Sequence, residues 1–208
     1  MQISSVGIIP LPLPQRPAAA QLMAETFYDD PLAGYLVPDT TRRLPALQEL
    51  WQHVIENDAG FEEIYTTGDR LEGVAVWVPP GMPTGSFVGT IALAVKLCLR
   101  TGWGNTYRFA TTFSQIEAWR ERDCPAPHWY LDGLAVSPQS QGRGIGSALL
   151  WPILARADRD GRSCYLFTST DRAVRFYQRQ GFEVCQEVRI GDDAPRLWTM
   201  RRSPQEEP

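Results

Sequence analysis

The chain has 208 residues, of which 43% are hydrophobic and 21% are charged, as expected of one globular domain with a sizeable core. Its net charge of −4 lacks the basic excess of a general nucleic-acid-binding protein, and its longest apolar run, at 87–99, is interrupted by Lys96 and too short to span a bilayer. Four dispersed cysteines and two histidines disfavour a metal site and fit reduced thiols, so we expect a cytoplasmic protein without metal, membrane or nucleic-acid partners.

In chain order, the residue patterns first predict an edge strand at 5–9 and helices at 17–28 and 39–57, the second of which is capped by Thr40 or Thr41. A hairpin of strands at 61–67 and 74–78 follows, and then helices at 84–100 and 105–122. The remaining predicted elements are a strand at 130–136, a helix at 147–160, a strand at 164–168, a helix at 171–179 and strands at 183–190 and 196–201. The strand at 74–78 has no polar side, so we expect it to be buried on both faces. No signal peptide is expected at the N-terminus, and residues 203–208 are expected to form a disordered tail.

A glycine-rich segment lies within residues 130–150, YLDGLAVSPQSQGRGIGSALL, which predict a strand, a turn and a helix. Gly142, Gly144 and Gly146 stand at the predicted helix entrance. Glycine lets backbone N–H groups approach an anion closely, and a helix N-terminus carries partial positive charge. The segment therefore predicts a phosphate or pyrophosphate site, unless it is a turn that only caps the helix.

Two common phosphate motifs do not fit this segment. A P-loop needs a lysine after its last glycine, whereas Gly146 is followed by Ser147. A Rossmann fingerprint needs glycine or alanine where Ser147 stands, and it opens its fold rather than lying two-thirds along the chain. The remaining pattern, Q-x-x-G-x-G at Gln141, Gly144 and Gly146, resembles the acetyl-CoA pyrophosphate loop of the GNAT acyltransferase superfamily.

A second segment, CYLFTSTDRAVRFYQRQGFEV at 164–184, resembles another CoA-contacting element of the same superfamily. That element consists of a strand, a helix with N-x-x-F-Y and then G-F, and both Phe176-Tyr177 and Gly181-Phe182 match it in type and spacing. Ala173 departs from the pattern, because family members commonly carry asparagine there. The departure puts one polar contact to the pantetheine arm in question, but not the fold.

Further phrases resemble the puromycin-N-acetyltransferase-like branch of bacterial GNATs: Asp29-Asp30-Pro31, AVWVPP at 75–80, Trp129-Tyr130-Leu131, Pro152 and LWTM at 197–200. The resemblance covers most of the chain from about residue 22 to residue 202 and implies a single acetyltransferase domain at 1–202. The implied fold is α/β (α+β), with a mixed, mostly antiparallel central sheet flanked by helices and splayed central strands that hold acetyl-CoA. The resemblance leaves the acceptor open, because pockets in this branch vary.

The resemblance also implies the cofactor-binding residues. The central strand would offer backbone groups to pantetheine, with the Val136 N–H as the candidate oxyanion donor. The glycine-rich loop would bind the pyrophosphate, and Arg143 either adds charge near the phosphates or is a solvated arginine. The expected cofactor-binding set is Leu134, Ala135, Val136, Gln141, Gly142, Arg143, Gly144, Ile145, Gly146, Ser147, Thr168, Ser169, Ala173, Phe176 and Tyr177.

Acetyl transfer to an amine needs an acid for the departing thiolate and a route for the amine proton. Tyr177 is the candidate acid, since a phenol holds its proton at neutral pH; otherwise it is a buried aromatic that closes the cofactor slot. Strand alternation places Tyr130, Asp132, Leu134 and Val136 on one face. Asp132 is the carboxylate of that face, so it is either the base or a structural hydrogen-bond acceptor.

In the puromycin-like branch, the loop after the first helix borders the acceptor pocket, which makes Tyr28 and Tyr35 candidate wall residues. The two inserted helices at 84–100 and 105–122 are expected to cover the acceptor. Their aromatic side chains either make the pocket apolar or only pack the insertion against the sheet: Phe87, Tyr107, Phe113 and Trp119.

Together these features predict an acetyl-CoA-dependent N-acetyltransferase that moves an acetyl group directly to a primary amine of a small molecule. No cysteine lies in a nucleophile motif, which favours direct transfer without an acyl-enzyme. Two alternatives stay open: an acetyltransferase for peptide or protein amines, and a non-catalytic CoA-binding module. A homodimer is also considered, since sheet-edge and C-terminal strands often pair subunits in this superfamily.

Overall fold

The computed structural model describes residues 7–57, 63–68, 70–82 and 87–205. Its strands are β1 (Ile8–Pro10), β2 (Glu63–Thr67), β3 (Gly73–Val78), β4 (Trp129–Val136), β5 (Cys164–Thr168), β6 (Glu183–Val188) and β7 (Leu197–Arg202). They form one seven-stranded sheet in the order β1-β2-β3-β4-β5-β7-β6. All neighbouring strands are antiparallel except β4 and β5, which are parallel. The predicted mixed, mostly antiparallel sheet is confirmed.

The helices of the described residues flank this sheet: α1 (Arg16–Thr26), α2 (Pro31–Leu36), α3 (Thr40–Gln52), α4 (Phe87–Thr101), α5 (Trp103–Asp123), α6 (Ile145–Arg159) and α7 (Asp171–Gln178). A π-helical turn, His53–Asn57, follows α3. One cluster of buried side chains joins α6 and α7 to the sheet, and a second joins α1 and α3 to β3 and β4. The six residues of β3 are all buried, which confirms the expected burial of this strand on both faces.

The starts of α2 and α3 differ from the prediction for local reasons. Asp39 caps α3 in place of the expected threonines, since its carboxylate accepts the backbone N–H of Thr41 at 2.9 Å. The helix α2 begins where the sequence predicts only a loop. Its cap is Asp30, whose Oδ1 accepts the Leu32 N–H at 2.8 Å, and Pro31 stands in its first turn.

The predicted elements at the chain ends lie partly outside the described residues. Of the expected edge strand at 5–9, the structure describes residues 7–9, and its strand is Ile8–Pro10. Of the expected tail at 203–208, residues 203–205 are described, and the Gln205 N–H donates to Asp158 Oδ1 at 2.8 Å.

A β-bulge interrupts β4 next to the centre of the sheet. Val76 of β3 is opposite Gly133, but the next residue, Trp77, is opposite Leu131, so that Asp132 is the extra residue in β4. A bulge adds one residue to a strand and shifts the alternation of its side chains beyond that point. The bulge therefore changes which residues of β4 share a face.

The predicted common face of Tyr130, Asp132, Leu134 and Val136 is wrong because of this bulge. Leu134 and Val136 pack with Leu131 against the α6 side of the sheet. Tyr130 instead belongs to a separate cluster with Val78, Cys124 and Tyr165. A strand pattern read with a strict period of two does not detect an inserted residue.

The central strands β4 and β5 separate soon after they meet. Their ladder pairs Trp129 with Cys164 and Tyr130 with Tyr165, and no further pair follows among the described residues. The remainder of β4, residues 131–136, therefore has no strand partner on that side. This separation confirms the predicted splayed central strands.

Beside the bulge, α1 and α3 lie close to the backbone of β4. A Cβ atom added to Gly133 would lie 2.5 Å from Met23 Cε and 2.5 Å from Trp51 Cη2. Met23 and Trp51 are both buried, so the indole ring has little room to move. Glycine at this position lets both helices lie against the centre of the sheet. The segment that follows α1 therefore lies near the centre of the sheet as well.

We predict that Gly133→Ala lowers the free energy of unfolding by about 2 kcal/mol, as overpacking of a filled core does. Gly104→Ala is the matched control, because an added Cβ there meets nothing within 4 Å and alanine favours a helix. Urea denaturation of both variants measures the difference. Equal stability of the two variants would contradict the close packing at Gly133.

Candidate active site

A cavity of about 750 Å³ opens where β4 and β5 separate. Its walls come from three parts of the chain: β4 with the segment 141–147, called the glycine loop below; the segment from the end of β5 through α7; and residues from α1, α2 and α3. Both segments that resemble CoA-contacting elements thus border the same cavity.

The backbone of β4 presents polar groups to this cavity. The Ser137 N–H donates to the Glu72 carbonyl at 2.8 Å, on the β3 side of the ladder. Bonding direction alternates along an antiparallel ladder, so the N–H and C=O groups of Leu134 and Val136 point away from β3 and into the gap. The Val136 carbonyl accepts the side-chain amide of Gln141 at 3.1 Å. Leu134 and Val136 both line the cavity.

Ala135 is a correction to the expected cofactor-binding set. The same alternation turns its backbone groups towards β3. Its methyl group is buried in the cluster that contains Met23 and Trp51, and the residue is not part of the cavity wall. The geometry therefore gives Ala135 a packing role rather than a contact with pantetheine.

The glycine loop has the backbone of an anion-binding turn. Gly142 and Gly144 have φ angles of 76° and 81°, in the left-handed region that disfavours other residues. An added Cβ at either position would meet nothing within 4 Å, so both face open space. Gly144 is the N-cap of α6 and provides no side-chain cap. The N–H groups of the first turn of α6 are therefore left for a ligand.

The start of α6 also lies against α7. A Cβ added to Gly146 would lie 3.1 Å from Cζ of Phe176, which is tighter than ordinary van der Waals contact. Gly146 and Phe176 both line the cavity, as do Ile145, Ser147 and Gly142. The two sequence segments thus contact each other directly in the structure, through the glycine loop and the Phe-Tyr helix.

The structure distinguishes two arginines near the glycine loop. Arg143 Nη1 lies 2.7 Å from Glu72 Oε1 and its side chain is not part of the cavity wall. Arg172, at the start of α7, lines the cavity and donates from Nη2 to Gln141 Oε1 at 2.8 Å. Arg172 is therefore better placed than Arg143 to add positive charge near an anion. The feature of the sequence that points to Arg172 is its position four residues before Phe176.

Tyr177 lies on α7 at the wall of the cavity and is 8% exposed. Its ring packs edge-on against Phe176 and Phe182, with centroid distances of 5.1 and 5.8 Å. Burial raises the pKa of the Tyr177 phenol above its usual value, because the charged phenolate is disfavoured away from water. The phenol thus carries its proton at neutral pH.

The segment between β5 and α7 forms another part of the wall. Thr168, Ser169 and Ala173 all line the cavity, as expected. Thr170 caps α7, since its hydroxyl oxygen accepts the Ala173 N–H at 3.3 Å. The side chain of Ala173 adds no polar group to the wall, in keeping with its departure from the family pattern.

A carboxylate that the sequence does not single out completes the site. Asp30 lines the cavity, and its Oδ2 accepts the Ser169 hydroxyl at 2.5 Å. Burial raises the pKa of Asp30, although hydrogen bonds from Ser169 and from the Leu32 N–H act in the opposite direction. Asp132, the bulge residue of β4, also lines the cavity. The site therefore contains carboxylates on two of its walls.

The expected acceptor-pocket walls need correction. Tyr28 and Tyr35 do not line the cavity; each instead lies under an arginine, Arg43 and Arg108 respectively. Their neighbours supply the wall in their place: Phe27, Asp30, Leu32, Ala33 and Leu36.

The four aromatic residues of the insertion also have different positions. Phe113 lines the cavity, Trp119 packs in the cluster between α5 and the sheet, and Tyr107 is exposed to solvent. The structure does not describe the side chain of Phe87. One aromatic side chain of the insertion, Phe113, is thus seen to contribute to the pocket.

Other kinds of site are not evident in the described ranges. No group of three or more histidine, cysteine, aspartate or glutamate side chains is arranged there to hold a metal ion. No helix within the same ranges has the length and hydropathy needed to cross a membrane.

Comparisons with known proteins agree with this geometry. Residues 43–182 match the model of the Acetyltransferase (GNAT) family. The chain is 25% identical over 200 residues to an uncharacterized N-acetyltransferase of Schizosaccharomyces pombe, covering 91% of this chain and 80% of that protein. It is similar in structure to "histone acetyltransferase HPA2 and related acetyltransferase" from Corynebacterium glutamicum, with a TM-score of 0.71 and 24% identity over 96% of this chain and 97% of that one.

A polyamine N-acetyltransferase from Drosophila melanogaster has a similar fold, with a TM-score of 0.63 and 14% identity over 94% of this chain and 98% of that one. At such identities the solved structures support the fold alone. The match to the family model, in contrast, spans more than half of the chain and includes both the glycine loop and the Phe-Tyr helix. The chain therefore belongs to the GNAT family of acetyltransferases.

Proposed function

We propose that the protein is an enzyme that moves an acetyl group from acetyl-CoA directly to the primary amine of a small molecule. The observation that carries the proposal is the single cavity between β4 and β5, which joins an anion-binding glycine loop to a region that contains carboxylates. Membership of the GNAT family supports acetyl transfer to an amine.

The described residues fit acetyl-CoA. The N–H groups of Ile145, Gly146 and Ser147 in the first turn of α6 would bind the pyrophosphate, aided by Arg172. The open ladder side of Leu134 and Val136 would pair with pantetheine as a strand pairs with a sheet edge. Bound in this way, acetyl-CoA would supply an activated thioester.

Three groups of the protein would serve the transfer. The Val136 N–H would donate to the thioester carbonyl oxygen as negative charge develops there. Asp132 would accept the proton that the amine loses as the new N–C bond forms, and Tyr177 would give its phenolic proton to the sulfur as the C–S bond breaks. Burial keeps the Tyr177 phenol protonated at neutral pH, so the proton is present for this step.

The cysteines support direct transfer rather than a covalent acyl-enzyme. None of the four lines the cavity as far as the structure describes its wall. Cys164 is buried in the core, and burial raises the pKa of its thiol to about 12. A thiol with that pKa has almost no thiolate at neutral pH and is a poor nucleophile.

Three finer statements belong to the same proposal. The phrases DDP at 29–31 and LWTM at 197–200 support a place in the puromycin-N-acetyltransferase-like branch of bacterial GNATs. The four unpaired cysteines support a cytoplasmic location. The edge strand β6, where Val184 is exposed, could pair with a second copy in a homodimer.

We predict that Gly144→Glu abolishes acetyl-CoA binding in calorimetry, because it places a side chain and a negative charge where the pyrophosphate should lie. Gly161→Glu is the matched control. Gly161 also has a left-handed φ, 63°, with no atom within 4 Å of an added Cβ, and it lies beyond the opposite end of α6. Loss of binding in both variants, or in neither, would contradict the assignment of the loop.

The two arginines provide a second test of the cofactor site. Arg172→Ala should weaken acetyl-CoA binding about fivefold, as expected for one partly solvated charge–phosphate contact. Arg143→Ala should change the dissociation constant less than twofold, since Arg143 is paired with Glu72 outside the cavity wall. A larger loss of affinity in Arg143→Ala than in Arg172→Ala would show that the loop reorganises when the cofactor binds.

Tyr177→Phe should lower kcat about 100-fold, the usual contribution of one general acid, while acetyl-CoA binding is retained. Tyr107→Phe, at an exposed site away from the cavity, should leave kcat unchanged. Release of the CoA thiol measures both rates. A Tyr177→Phe variant that keeps the wild-type kcat at every pH would rule out the acid role.

A broad amine panel with acetyl-CoA tests the proposed function itself, with acetylated products detected by mass spectrometry. Acetylation of small primary amines is the expected result. Products formed only from peptides would favour the peptide or protein acceptor. Tight acetyl-CoA binding without any acetylated product would favour a non-catalytic CoA-binding module and overturn the enzyme proposal.

A further inference from the structure

We infer that the acceptor is a monoamine with an apolar body, of the arylalkylamine type, and that the Asp30 carboxylate binds its ammonium group. The inference rests on the proposed acetyltransferase function and goes further, because it names the class of acceptor and the residue that recognises it.

The position of Asp30 is fixed by two elements that meet at the cavity. Its Oδ1 caps α2 through the Leu32 N–H at 2.8 Å, and its Oδ2 accepts the Ser169 hydroxyl at 2.5 Å. Asp30 and Ser169 both line the cavity. The carboxylate is therefore held in one orientation from two sides before any ligand arrives, as a recognition group should be.

Asp30 lacks a cationic partner within the described residues. Its hydrogen bonds come from a hydroxyl and from backbone N–H groups, and no lysine, arginine or histidine of the described residues forms an ion pair with it. The nearby Arg43 is instead directed to the carbonyl oxygens of Tyr28, Val37 and Pro38. A partly buried carboxylate without a cation is unfavourable when charged. The ammonium group of an acceptor would supply the missing charge.

The walls beside Asp30 are apolar. Leu32 and Leu36 of α2 lie in one cluster with Leu50, Phe113 and Phe167, and all five line the cavity. The rings of Phe27 and Trp51, stacked with centroids 5.2 Å apart, form an adjacent part of the wall. Such side chains suit an aromatic or aliphatic body, and they offer no partner to a charged group that lies against them.

This distribution of charge predicts which amines are poor acceptors. The charged residues of the cavity wall in the described ranges are Asp29, Asp30, Asp132, Arg172 and Arg179. Arg172 contacts the glycine loop, Asp29 is exposed and Asp132 is the proposed base. A polyamine bound through Asp30 would either bury a second ammonium against leucine and phenylalanine side chains, which is costly, or pair it with Asp132 and so occupy the proposed base.

The roles of Asp30 and Asp132 are separate. Asp30 orients the ammonium group, whereas Asp132 accepts the proton that the amine loses. Neutralising Asp30 should therefore weaken binding of any ligand that carries the ammonium charge, including one that cannot react. It should not affect ligands that lack the charge.

The experiment compares three ligands with the same phenethyl body by calorimetry on the CoA-bound protein: phenethylamine, its trimethylammonium analogue and the neutral alcohol 2-phenylethanol. The variants are Asp30→Asn and, as a matched control, Asp39→Asn, which changes the exposed N-cap carboxylate of α3 outside the cavity wall. Asparagine is also a good helix N-cap, so α2 should be retained in Asp30→Asn. Ser169→Ala is included, since it removes one of the groups that orient the carboxylate.

We expect Asp30→Asn to weaken both ammonium ligands about 30-fold, the size of one charge-assisted contact, and to leave the alcohol within twofold. Asp39→Asn should change none of the three more than about threefold, as expected of a solvated charge outside the cavity. Ser169→Ala should weaken the ammonium ligands about fivefold, the effect of one hydrogen bond. A parallel loss of affinity for the alcohol, or equal effects of the Asp30 and Asp39 substitutions, would overturn the role of Asp30.

Turnover then separates this inference from the proposed function. Acetylation of phenethylamine with a kcat/KM at least 100-fold above that of spermidine or a lysine peptide is the expected result. Preferred acetylation of spermidine or the peptide would keep the acetyltransferase but overturn the acceptor class. Binding of phenethylamine that depends on Asp30, without any turnover, would keep the recognition site and overturn the enzyme.

Discussion

The separation of β4 from β5 is the constraint on which the rest of the site depends. The two strands are joined at only two residue pairs, Trp129 with Cys164 and Tyr130 with Tyr165. Beyond them, Leu134 and Val136 direct backbone groups into a cavity instead of a neighbouring strand. A buried backbone group without a partner costs about 1–3 kcal/mol, so the open edge is tolerated because water or an extended ligand can occupy it. In the proposed complex, the pantetheine arm of acetyl-CoA would complete the sheet.

The bulge and the two glycines of the loop determine which chemical groups face this gap. Asp132 stands at the bulge, so it reaches the cavity wall from a strand whose neighbouring residues pack in the core. Gly142 and Gly144 turn the chain out of β4 and into α6, which directs the helix N-terminus at the same cavity. An anion-binding helix end and carboxylates thus share one space, as the proposed transfer from acetyl-CoA to an amine would need.

The sequence predicted the parts of this site that depend on local chemistry. The loop and the Phe-Tyr helix each lie within a short segment, and their glycine and aromatic spacing has direct conformational meaning. The bulge at Asp132 was not predictable in the same way, because it is defined by pairing with β3. The Asp30–Ser169 hydrogen bond joins residues 139 positions apart. The choice between Arg143 and Arg172 depends on Glu72, which lies in the distant hairpin.

The central claim is that the open edge of β4 and the glycine loop together bind acetyl-CoA. Residue-resolved amide hydrogen exchange, measured by NMR with and without acetyl-CoA, tests it most directly. The account predicts new protection at Leu134, Val136 and the glycine loop, with no change at Ala135, whose N–H already lies on the β3 side of the ladder. Unchanged exchange along residues 134–147 in the presence of saturating acetyl-CoA would contradict it.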